Sequence, residues 1–218
     1  MLSVIVNKSV CPSCSATRQL SIALPLFAGC VSCGCVYFVD KEKVTTKTDL
    51  KAMPVQPFSI ISVGTKGKYK GTEFEVIGHI RSIGSGAISN EWLMKMATGL
   101  LLWLCECGFN YSVFDPRPVK LTQDHIRHIK AGEWMSVENK DYTVTDLSKQ
   151  VEFQMEGQLP EECFNNEPYF EYNAIDIKDK GLLSVCIFDK NTIEGFRGQS
   201  ISLNSLELSG MDKFKSWI

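Results

Sequence analysis

Four cysteines, Cys11, Cys14, Cys30 and Cys33, constrain this chain more than any other feature. They spell C-x2-C, a fifteen-residue gap, and a second C-x2-C, which is the spacing of a structural zinc site. Two residues between thiolates let a tight knuckle turn both sulfurs toward one tetrahedral ion. Pro12 suits the first knuckle, because its ring presets φ for the turn. Arg18–Leu24 and Val36–Val39 are expected as short strands of a ribbon around the metal. Four thiolates leave no open coordination position, so the site reads as a staple and not as a reaction centre. Cys35 is a fifth thiol within reach. Its two readings are a strand residue pointing into a small apolar core and an alternate ligand.

Nine cysteines could also form a disulfide framework, but that requires an oxidising compartment. Met1–Lys8 lacks a basic leader and its apolar run is short, so a reducing cytoplasm is expected, with zinc and not disulfides. No stretch has the length of a membrane span. The net charge of −2 argues against a dedicated polyanion binder, which needs a basic surplus. A content of 44% hydrophobic residues over 218 positions is enough to bury a globular core.

After a ribbon over 1–39, residues 40–57 are polar, charged and end in two prolines, and read as a linker. From Phe58 the pattern changes to short alternating runs punctuated by glycine. Strands are expected at Phe58–Val63, Thr72–Arg81, Glu91–Met96, Gly99–Gly108 and Phe109–Phe114, a meander curling into a small barrel. Ile88–Leu104 could pass for a buried helix, but Gly99 favours two strands. Pro116 and Pro118 end this unit, and Leu121–Lys130 reads as a helical turn capped by Thr122, or as a loop. A second β-rich unit over 121–218 follows, with strands at Glu133–Val137, Tyr142–Leu147, Gln150–Met155, Tyr169–Ile177, Gly181–Asp189 and Thr192–Arg197. Ile201–Leu208 fits a final strand or a short helix. The fold class expected is mainly β: a zinc ribbon, then an antiparallel region of two small SH3-like barrel units, the first over 58–120.

The run Val63-Gly64-Thr65-Lys66-Gly67, then Gly71 to Ile80 with Gly78 and His79, resembles a bacterial family catalogued as domain of unknown function 4178. Glu91-Trp92, Trp103-Leu104, Gly108, Tyr142-Thr143-Val144 and Phe196-Arg197-Gly198 continue the likeness. Glu156-Gly157-Gln158-Leu159-Pro160 resembles the family's Gly-Glu-Leu-Pro element, with Gln158 in place of the acid. The resemblance covers roughly 58–208. It implies an accessory β-domain protein, often preceded by a zinc ribbon and found near membrane-stress genes. It implies no activity.

Four further constellations invite chemistry. Lys66, Lys68 and Lys70 lie among glycines, but the Walker pattern is absent, and a hairpin with glycine at positive φ accounts for the run. Cys105 and Cys107, with His125 and His128, have poor spacing for a metal and read as apolar fillers. Cys107 with His125 or His79 could act as nucleophile and base, with Asp124 to orient His125. Otherwise His79 is a surface or satisfied histidine, and Glu161-Glu162 a solvated loop. Trp92, Trp103, Trp134, Phe74, Tyr111 and Phe114 could supply an aromatic binding face, although most are needed for the core.

The function expected is a non-enzymatic interaction or scaffold protein with a protein partner and structural zinc on Cys11, Cys14, Cys30 and Cys33. The rival readings are a nucleic-acid binder using the ribbon and the lysine hairpin, and a hydrolase using Cys107.

Overall fold

The computed structural model describes residues 8–40, 44–46, 51–52, 59–84, 88–122, 126, 129–161, 168–189 and 192–209. The described residues are mainly antiparallel β, with one parallel pairing among them. In the N-terminal part, β1 (Lys8–Val10) and β2 (Thr17–Gln19) form one hairpin, and β3 (Leu26–Gly29), β4 (Val36–Val39) and β5 (Val44–Thr46) form a meander. Two residues, β6 (Lys51–Ala52), pair with a distant strand. The expected 40–57 linker therefore carries strand pairing in β5 and β6.

The remainder is two five-stranded meanders of the same order. The first runs β7 (Lys66–Tyr69), β8 (Thr72–Gly84), β9 (Ile88–Met96), β10 (Leu101–Cys107) and β11 (Asn110–Phe114). A short β12 (Val119–Lys120) leads to the second: β13 (Trp134–Val137), β14 (Lys140–Pro160), β15 (Tyr169–Asp176), β16 (Gly181–Ile187) and β17 (Ile193–Ile201). The two opening hairpins superpose in detail. Gly64 N–H donates to Val76 O and Val76 N–H to Thr65 O; Gly132 N–H donates to Val144 O and Val144 N–H to Glu133 O, all at 2.8 Å. Both hairpins turn through two residues at positive φ, Lys70-Gly71 and Glu138-Asn139, as a type I′ turn requires. Both long strands bulge directly after the valine, between Val76 and Gly78 and between Val144 and Asp146. Every equivalent pair lies 68 positions apart. The sequence hides this repeat because only the backbone pattern and the apolar positions are shared.

Each unit has a core of its own. Ile61, Tyr69, Phe74, Val76, Trp92, Met94 and Leu104 fill the first, and Val119, Met135, Val137, Tyr142, Val144, Leu183 and Val185 the second. Fully burying a side chain of this size contributes about 1.5–3 kcal/mol. The units are not separate beads. β8 pairs with β14 and β11 with β17, so the ladder closes through β8, β9, β10, β11, β17, β16, β15, β14 and back to β8. Ile80, Leu93, Trp103, Phe114, Phe153 and Met155 form a third, central core between the units.

Two expected elements differ, and a third settles on one of its two readings. Residues 59–63 form bends and a turn instead of a strand, with Ile61 fully buried under the first unit. Tyr142–Leu147 and Gln150–Met155 are one continuous strand, because β14 changes partner without breaking: β15 along its first half and β8 along its second. The stretch after β17, expected as a strand or a short helix, is a short 3-10 helix, η1 (Leu203–Leu206). It returns Leu206, fully buried, to the first unit's core, and Ser209 bridges to Lys66. Half of the expected helical turn at 121–130 lies outside the described residues.

Candidate metal centre

Each C-x2-C pair sits on a tight turn, 12–14 and 31–33, closed by backbone bonds from Ser15 N–H to Cys11 O (2.9 Å) and from Gly34 N–H to Cys30 O (2.8 Å). The residue leaving each knuckle takes positive φ, Ser15 at 60° and Gly34 at 72°. The turns bring all four sulfurs within 4.8 Å of one another. Cys11 Sγ lies 3.7 Å from Cys33 Sγ, and Cys14 Sγ lies 3.6 Å from Cys30 Sγ. These separations are too long for disulfides. They are close to the edge of a tetrahedron built on metal–sulfur bonds of about 2.3 Å, which is about 3.8 Å. The donor set therefore fits a tetrahedral metal ion.

The knuckles prepare the first thiolate of each pair, whereas Cys14, although the Ala16 N–H favours its thiolate, is pushed up to about 12 by the sulfurs around it. Burial opposes ionisation of Cys11, but backbone N–H groups of Cys14 and Ser13 point at its sulfur and bring it down to about 6. Cys30, again against burial, is lowered by the equivalent N–H groups of Cys33 and Ser32. Cys35 lies outside the four-sulfur group. Its thiol contacts Val36 O at 3.6 Å and packs beside Leu20, Leu26 and Tyr37, and burial raises its pKa. It borders the small apolar core, with Cys11, Cys33 and Cys30 close to its sulfur.

The ribbon is fastened to the barrel. β3 pairs with the end of β14, Gln158 opposite Ala28 and Pro160 opposite Leu26. Gln158 accepts from Ser21 N–H through Oε1 (2.7 Å) and donates to Gln19 O through Nε2 (3.2 Å). Lys95 Nζ donates to Ser21 O at 2.5 Å, and Val36 enters the central core.

The other candidate residues are dispersed. Lys66 and Lys68 stand beside Glu75 (3.9 Å) and Glu207 (4.0 Å), and Lys70 donates to Gln199 at 3.2 Å. His79 and Cys107 fall on opposite faces: the register aligns His79 with Trp92 and Leu104, and Ile80 with Glu91 and Cys105. His79 is fully buried, not a surface residue. It stacks on Trp92 with centroids 3.6 Å apart and bonds Asn90 Oδ1 through Nε2 at 3.1 Å, and burial pushes its pKa down to about 3. Cys105 and Cys107 share a face, but His125, His128, Asp124 and Glu162 lie outside the described residues; among those described, the four ribbon cysteines are the one group arranged for a metal. Trp92, Trp103, Phe74 and Phe114 are core residues, whereas Trp134 is 70% exposed. Phe109, at the tip of the β10–β11 hairpin, is 97% exposed; its place beside Gly108 in a two-residue turn was the available signal.

Scans against protein-family models, curated proteins and solved structures return no match to this chain. No helix among the described residues is long and apolar enough to cross a membrane.

Proposed function

We propose that this chain is a non-enzymatic interaction or scaffold protein of the cytoplasm, with a zinc ion held by Cys11, Cys14, Cys30 and Cys33 as a structural staple. Zinc is the ion that best suits four thiolates at a closed tetrahedral site in a reducing compartment. The observation that carries the interaction reading is Trp134. It stands exposed on β13, which among the described residues has a strand neighbour on one side only. Unpaired edges are normally short, charged or covered, and a bare tryptophan on one is the kind of anchor that binding interfaces use. A partner protein that adds to this edge would cover the indole and pair with the strand. The likeness to domain of unknown function 4178 suggests that the partner belongs to a membrane-stress-related complex.

The rival readings receive less support. The lysine hairpin has carboxylates beside two of its three lysines, which weakens a phosphate-tracking surface. The nucleophile and base of a Cys107–His79 pair face apart. The test is co-purification from the native host with wild-type protein and with Trp134→Ser, each with and without nuclease treatment. A stoichiometric protein partner lost in W134S is the expected result. Recovery of nucleic acid in place of a protein, lost on neutralising Lys66, Lys68 and Lys70, would replace this reading.

A further inference from the structure

The closed ladder has an inner wall that changes character along its length. Toward the ribbon it is apolar, with Leu93, Trp103, Phe153 and Met155. Toward the other end the same faces of the strands carry Ser82, Ser89, Glu91 and Cys105 from β8–β10, and Gln150, Glu171, Ser184 and Cys186 from β14–β16. Two carboxyls thus face each other across the ring. Glu171 accepts from Ser184 Oγ (2.8 Å) and Gln150 Nε2 (3.0 Å), and Ser82 Oγ donates to Glu91 at 3.4 Å. Neither carboxylate has a Lys or Arg partner among the described residues. Lys95, on the inner face of β9, lies four residues along from Glu91 and is committed to Ser21 O in the ribbon.

Two further observations point to a missing occupant. Gln150 is 6% exposed, and its Oε1, beside the cluster and next to Gly84, has no hydrogen-bond partner among the described residues. A buried amide oxygen left unpaired costs about 1–3 kcal/mol, so a donor is wanted there. Glu91, Cys105 and Glu171 are only half-buried, so this end of the inner wall is within reach of a small solute.

We propose that this polar end of the inner wall binds a small organic cation, its ammonium group held between Glu91 and Glu171 with an N–H to Gln150 Oε1 and its carbon body against Tyr169, Phe153 and Trp103. Barrels of eight strands have an interior that can hold one small ligand. A bare metal ion fits less well, because these carboxylates and thiols are not gathered within a single coordination shell. Tyr169 stacks on Phe153 with centroids 5.5 Å apart, and aromatic faces attract ammonium groups. Burial, with the Glu171 charge added, raises Glu91 to about 8; burial raises Glu171 as well. Cys105, Cys107, Tyr169 and Cys186 are raised in turn, burial being the first cause of each. With Asp146 and Glu194 nearby, every titratable neighbour is an acid. A bound cation would displace the proton from Glu91.

The experiment is calorimetric titration of the full, zinc-loaded chain with n-butylammonium chloride, and with 1-butanol as the neutral match. Saturable binding of the ammonium and not of the alcohol is expected. It should weaken by about tenfold or more between pH ~9 and pH ~6.5, where a carboxyl titrating near 8 is mostly protonated. Glu91→Gln and Glu171→Gln should each abolish it while zinc content is retained and the melting temperature is no lower than that of the wild type. Should either variant fail to fold, titration of the wild type in buffers of different ionisation heat replaces it, with proton release on binding expected. Equal binding of the alcohol, binding that survives E91Q, absence of proton release, or no saturable binding at either pH would overturn the proposal. None of these results depends on the partner proposed above.

Discussion

Gly78 and Gly157 stand opposite each other where β8 and β14 pair, and the approach leaves no room for a side chain. A Cβ on Gly157 would lie 2.7 Å from Gly78 Cα and would meet Ile77 O more closely still, at a φ of +82°. A Cβ on Gly78 would lie 2.7 Å from Leu159 Cδ2 and closer to Gln158 O. Gly157→Ala therefore combines backbone strain with a backbone clash, and a loss of about 2–3 kcal/mol or more is expected, read as a lower urea midpoint. Glu91 gives a second prediction at this scale. Its folded pKa of about 8 exceeds the unfolded value of 4.5, so the folded state holds the proton more tightly. Stability contributed by that carboxyl falls as pH rises from about 4.5 through 8, and the penalty is complete above. E91Q should match wild type near pH 5 and exceed it near pH 9 in thermal melts. An E91Q protein that is no more stable than wild type near pH 9 would contradict this. Neither residue advertises its place. Glu91, between Asn90 and Trp92, reads as a solvent-facing strand residue, because the inner wall of a closed ladder and an outer surface share the same period.

At the scale of elements, the ribbon was legible because two-residue knuckles leave their cysteines one arrangement around a metal, and the meander strands because turn glycines bound each alternating run. The 21-residue length of β14 was not. Its bulge after Val144 shifts the alternation, and its partners, β15 on one half and β8 on the other, lie far along the chain where no local pattern reaches. Gln158 shows what the Glu156–Pro160 block does: it ties β3 and the loop at Ser21 to the barrel. Gln158→Ala should leave zinc binding unchanged but make the loop at Ser21 exchange its amide hydrogens faster, by about tenfold if one buried bond worth ~1.4 kcal/mol is lost. Cys14→Ser should instead lower bound metal directly. Stoichiometric zinc in that variant would rule out the four-ligand set.

For the whole molecule, a separate core in each unit and a closed ladder around a shared central core make opposite demands. Separate cores favour independent units, whereas β8–β14 and β11–β17 pairing makes each unit the other's edge. The return of Leu206 to the first unit's core tips the balance toward one cooperative transition. Leu206→Ala, in a fully buried site, should cost about 2–5 kcal/mol and lower the melting of both units together. A biphasic melt in which only the first unit shifts would show that they unfold apart. The segment 203–209 also sets a schedule for synthesis. The first meander is complete in sequence at Phe114, yet its last core residue is 92 positions downstream. At ~5–20 residues per second, the ribosome delivers it roughly 5–18 s later. During that interval β7–β11 present an unfilled core and an unpaired β8 edge, so the nascent chain is the state in which this protein most needs a chaperone.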